Sequence, residues 1–119
     1  MPVRSLRSSV LKWPGAAEVE AALRRWAAGL DLPGLIALGY FGSYARGEAG
    51  VGSDLDLVLV IAESKEPAPL RAARLPLETL PVPADALVLT RDEWAALRER
   101  DDRFARTLQR ETRWVIGPP

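Results

Sequence analysis

Two short apolar runs, residues 35–41 and 57–61, are separated by a stretch that holds Gly42, Gly47, Gly50 and Gly52. Runs this brief and this continuously apolar suit strands covered on both faces, and the glycines between them demand a tight turn or loop that closes back on the sheet. At the junction lie Gly42-Ser43 and, ten residues later, Asp54-Leu55-Asp56. Side chains alternate along a strand, so Asp54 and Asp56 project to one side while Leu55 and Leu57 point to the other.

Those residue types in that order point to metal-assisted chemistry at phosphorus. Gly42 lets the backbone come near a ligand and take a positive φ, and Ser43 adds a hydroxyl to the backbone N–H donors. The following Tyr44-Ala45-Arg46 is expected to start a short helix whose first N–H groups would face a phosphate, with Arg46 adding a charge-assisted contact and the glycine-rich segment up to Ser53 closing back on the strand. The two carboxylates are hard oxygen ligands of the kind Mg2+ takes together with water and substrate phosphate oxygens. Two such ions, roughly 3.5–4 Å apart, stabilise both the attacking and the leaving oxygen of an in-line displacement. Without a cation the neighbouring carboxylates repel one another, so the cluster is costly unless it is used. Gly-Ser in a loop is common by itself, and Asp-x-Asp at a strand start often only ends a turn. Together at this spacing they occur by chance on the order of once in a thousand chains of this length.

The remaining chain alternates between helical and extended patterns. Val19, Ala22, Leu23, Trp26 and Leu30 follow helical spacing up to Gly29 and Pro33. The second strand is expected over 54–62, a short helix over 70–75 ahead of Pro76, and a third strand over 84–89. Thr90-Arg91-Asp92-Glu93 is a capping box that opens a helix, with Trp94, Leu97, Phe104 and Leu108 as its inner face. Asp101-Asp102 interrupts that stripe as the cap of a second helix, and residues 114–116 form a last strand. The four Trp read as packing residues. The pattern predicts an α+β fold, a small mixed β-sheet flanked by helices. We expect a basic extension over residues 1–17, one domain over 18–116 and a tail over 117–119.

Composition narrows the chemistry further. The 119 residues carry 16 Lys and Arg against 16 Asp and Glu, which gives no basic footprint for nucleic acid. Cys and His are both absent, which removes disulfides, thiolate and imidazole chemistry and leaves carboxylates and metal as catalytic groups. No apolar run approaches the length of a membrane span, and the expected location is cytoplasmic.

The stretch from Gly39 to Glu48 with Ser53 to Val60 resembles the minimal nucleotidyltransferases of the DNA polymerase beta superfamily. It fits that family's Gly-Ser, ten residues, Asp-x-Asp signature without a gap, and the Ala45-Arg46-Gly47 that follows fits too. The resemblance implies a polymerase beta-like nucleotidyltransferase fold and a third metal carboxylate on a later strand. Asp85 is the candidate, ahead of Glu63 and Glu78, which lie outside apolar runs. It also implies two Mg2+ ions, with Mn2+ as substitute, and ATP or another nucleoside triphosphate as donor. Asp54, Asp56 and Asp85 would be the metal ligands, with Asp85 also as base, and Gly42, Ser43, Arg46 and Ser53 would hold the nucleotide. The implied partner is a HEPN-type protein, a helical ribonuclease toxin encoded nearby, to which the chain would transfer AMP as antitoxin. Two further readings are a non-catalytic subunit that occludes its partner, and nucleotidyl transfer to a small molecule bound by a separate subunit.

Overall fold

The structure, a computed structural model, describes residues 13–119. The first twelve residues of the expected basic extension therefore lie outside the described residues. Helix α1 (Ala16–Ala28) opens the described fold, and its N-terminal turn is closed by Glu18, whose carboxylate accepts from the Gly15 N–H at 3.3 Å. Strand β1 (Leu35–Phe41), the four-residue helix α2 (Ser43–Arg46) and strand β2 (Leu55–Ile61) follow. Helix α3 (Ala68–Ala73) and a 3-10 turn (Leu77–Thr79) lead to strand β3 (Ala84–Thr90). Helices α4 (Arg91–Glu99) and α5 (Arg103–Glu111) and strand β4 (Arg113–Ile116) complete it.

The four strands make one mixed sheet in the order β3-β2-β1-β4. β1 pairs antiparallel with β2 and with β4, whereas β2 and β3 run parallel, joined by the crossover through α3. The two central strands are the two apolar runs, as expected of strands with side chains buried on both faces. One face packs Leu38, Leu55, Leu57 and Leu59 against Val19, Leu23 and Ala27 of α1. The other packs Ala37, Val58 and Val60 against Trp94 and Leu97 of α4 and Ala105 and Leu108 of α5. This is the α+β architecture read from the sequence, a mixed sheet flanked by helices. No helix among the described residues is long and apolar enough to cross a membrane.

The expected caps form. The Thr90 hydroxyl accepts from the Glu93 N–H at 3.2 Å and the Glu93 carboxylate from the Thr90 N–H at 2.8 Å. Asp102 accepts from Ala105 N–H at 2.8 Å and so starts α5 as a separate helix. Phe104, expected on the inner face, is 46% exposed instead. The cap resets the helical phase, so the buried stripe of α5 falls on Ala105 and Leu108 and leaves Phe104 at its margin. Gly39 is needed where β4 crosses β1, because a Cβ there would meet the Arg113 carbonyl at 2.7 Å.

One buried charge ties these parts together. Arg71 on α3 donates to the Glu66 carbonyl at 2.7 Å, the Val88 carbonyl at 2.9 Å and the Glu93 carboxylate at 2.6 Å. That guanidinium, with the Thr90 N–H second, holds the Glu93 carboxyl down at about 2, below its ordinary 4.5. A lowered carboxyl pKa adds stability above the unfolded value, and that stability is lost as pH falls through the folded one. Glu93→Gln is therefore expected to cost about 1–3 kcal/mol at neutral pH, because a neutral amide offers Arg71 one acceptor oxygen in place of two charged ones. The gap between wild type and variant in thermal melts should close as pH falls from about 4.5 toward about 2.

Candidate active site

The sheet topology, not the local sequence, assembles the site. Because β1 and β2 are antiparallel with Phe41 opposite Asp56, the end of β1 lies beside the start of β2. Because β2 and β3 are parallel with Asp56 opposite Asp85, their starts lie side by side as well. Gly42-Ser43, Asp54, Asp56 and Asp85 thus gather at one end of the sheet. Val58, Val60, Leu87 and Leu89 all pack on the α4–α5 face, so strand alternation puts Asp56 and Asp85 on that face too. Leu55 and Leu57 belong to the opposite core, as their alternation with the carboxylates requires.

Gly42 shows how tightly the turn and the acid are joined. Its φ of 76° and ψ of -151° lie in a region essentially confined to glycine. A Cβ built there would also collide with Oδ2 of Asp56. Asp56 is half-buried, and its carboxyl is pushed above the ordinary 3.8 by burial first, then by the charges of Asp85 and Asp54, while Arg46 pulls it down. Asp54 and Asp85 are exposed.

The other predicted residues are placed as follows. Ser53 accepts from the Gly50 N–H through its hydroxyl at 2.9 Å and so closes the loop between α2 and β2. Arg46 donates to Glu48 at 2.8 Å and to Glu111, at the end of α5, at 3.3 Å. It is on the site's rim but engaged with carboxylates. Glu111, 65 residues away along the chain, carries no local signal that could have paired it with Arg46. Phe41 and Phe104 meet edge to face with ring centroids 6.3 Å apart.

Among the described residues, no three His, Cys, Asp or Glu side chains stand close enough together to hold an ion. As donors, however, the carboxylates suit a hard divalent cation, and the charges of Asp85 and Asp54 add to burial in raising the Asp56 carboxyl. A cavity of about 170 Å³ lined by Val19, Leu23, Tyr40, Tyr44 and Leu55 opens on the α1 face. None of Asp54, Asp56 or Asp85 lines it.

Residues 28–115 match the family described as nucleotidyltransferase domain, well over half of the chain. The chain belongs to this family. Nucleotidyltransferase domains generally use divalent metal ions. No curated protein matches the chain significantly. Among solved structures, a protein from Sulfolobus solfataricus assigned as a nucleotidyltransferase superposes with a TM-score of 0.50 at 21% identity, covering 87% of each chain. A mutant of the MntA-HpeT toxin-antitoxin superposes with a TM-score of 0.50 at 16% identity, over 88% of this chain and 75% of that one. A toxin-antitoxin with AMP-PNP gives 0.48 at 18% identity, over 83% and 73%. These likenesses concern the fold.

Asp56 gives a direct test of the site's electrostatics in this nucleotidyltransferase. A raised carboxyl pKa means that the ionised acid destabilises the fold above the folded pKa. Asp56→Asn is therefore expected to melt higher than wild type at pH 7, with the difference vanishing below about 3.8, where both side chains are neutral. Gly42→Ala should do the opposite, at a cost of about 1–3 kcal/mol for the strained backbone alone, read as a lower melting temperature at pH 7.

Proposed function

We propose that the chain transfers a nucleoside monophosphate, AMP from ATP, to a hydroxyl of a partner protein. The observation that carries the reading is the convergence of Gly42-Ser43 with Asp54, Asp56 and Asp85 at one sheet end within a nucleotidyltransferase domain. In this reading the acceptor oxygen bonds to the α-phosphorus while the bond to the bridging oxygen breaks, and pyrophosphate leaves. Asp85 takes the hydroxyl proton. Asp54, Asp56 and Asp85 would hold Mg2+, or Mn2+ in its place, and the bound metal would neutralise charge developing on the phosphates. Gly42 admits the triphosphate to the backbone without a side chain in the way, Ser43 offers its hydroxyl, and Ser53 shapes the returning loop. Arg46 leaves Glu111 for a phosphate oxygen, exchanging one charge-assisted contact for another.

The likeness to a toxin-antitoxin structure, together with the minimal-nucleotidyltransferase motif, supports an antitoxin role with a HEPN-type toxin as acceptor. The balance of 16 basic and 16 acidic residues favours a protein acceptor over nucleic acid. The domain is read as residues 18–116, in the cytoplasm.

Incubation with α-labelled ATP, Mg2+ and the product of the adjacent gene tests this. Label on that protein, lost with Asp54→Asn, is the expected outcome. Tight association and loss of toxicity without label would instead support neutralisation by occlusion. Arg46→Ala is expected to raise the KM for ATP several-fold with little change in kcat, since it removes a binding contact remote from the reacting atom. Steady-state kinetics at varied ATP would show it.

A further inference from the structure

Helix α5 touches both sides of the Gly42-Ser43 turn. Near its start Phe104 meets Phe41, the residue before the turn, with centroids 6.3 Å apart and ring planes at 81°. At its end Glu111 pairs with Arg46, the last residue of α2. Phe41 is in turn the strand partner of Asp56. One helix therefore walls the site along the α4–α5 face of the sheet, the face that carries Asp56 and Asp85.

Three large apolar side chains, Val51, Leu70 and Phe104, stand exposed among the described residues, and Phe104 is the aromatic one. Val51 lies in the loop before β2 and Leu70 on α3, whereas Phe104 alone of the three touches the strand end that leads into the turn. An edge-to-face contact fixes a ring's tilt. Here it does so while leaving 46% of Phe104 open beside the site. An exposed aromatic ring anchored beside the turn is a surface on which the base of a nucleotide held there can stack.

We infer that Phe104 is the platform for the nucleobase of the bound nucleoside triphosphate, with Phe41 fixing its tilt. The inference rests on the proposed function, in that it takes the Gly42-Ser43 turn as the phosphate site. Stacking needs only the π-face common to all bases, so it supplies affinity with little choice among them. Phe104 then acts on binding, not on the chemical step.

The test compares two probes, Mg-ATP and Mg-tripolyphosphate, titrated calorimetrically into the purified chain and into Phe104→Ala, Phe104→Leu and Phe104→Trp. Phe104→Leu keeps an apolar side chain against Phe41 and guards against a folding defect. With a base platform, both Phe104→Ala and Phe104→Leu weaken ATP about tenfold, within what base stacking contributes. Tripolyphosphate affinity stays unchanged, and Phe104→Trp binds ATP at least as tightly as wild type. Equal weakening of both probes, or ATP binding that Phe104→Leu leaves intact, would overturn the platform while sparing the proposed function. If the unsubstituted chain bound neither probe, the phosphate site would fall, and the platform with it.

Discussion

The carboxylate of Asp56 lies against Gly42 so closely that no side chain could occupy the glycine's position, and the site end of the sheet is organised around that contact. It needs β1 to end and β2 to begin at the same place, which the antiparallel pairing of Phe41 with Asp56 provides. It needs a backbone conformation that only glycine adopts without strain. It also obliges the protein to bury part of an acid next to two others, which raises the pKa of Asp56. The cost is carried by the two-sided core, where β2 is buried at every position except Asp56.

Strand pairing of two kinds then does what no local motif can. The antiparallel β1–β2 pair brings a turn beside an acidic strand start, and the parallel β2–β3 pair brings a second acidic strand start beside the first. A parallel pair needs a crossover, here supplied by α3 and the 3-10 turn, and Arg71 anchors that crossover to β3 and to the cap of α4. Structure and site are coupled through β3, whose far end is clamped by the Arg71 contact to Val88 and whose near end carries Asp85.

Much of this was legible in the residues. The two apolar runs, the Gly42-Ser43 turn, the capping box at Thr90 and the cap at Asp102 are local signals, set by side-chain period and backbone donors within a few residues. The strand order β3-β2-β1-β4 is not local, and neither is the ion pair between Arg46 and Glu111. Phe104 was misplaced for a definite reason. The cap expected at Asp102 starts a new helical phase, and the inner-face stripe does not carry over it unchanged, so Ala105 and Leu108 take the buried positions. The buried Arg71 gave no sign at all, because its acceptors lie on the chain up to 22 residues away.

The proposed function requires that the acids at the starts of β2 and β3 bind a divalent ion beside the Gly42-Ser43 turn. Crystals grown with Mn2+ and a non-hydrolysable ATP analogue would test it through anomalous scattering. The expected result is anomalous density beside the carboxylates of Asp56 and Asp85 that is absent in Asp56→Asn. Nucleotide bound at the turn with no anomalous density at those carboxylates would contradict it.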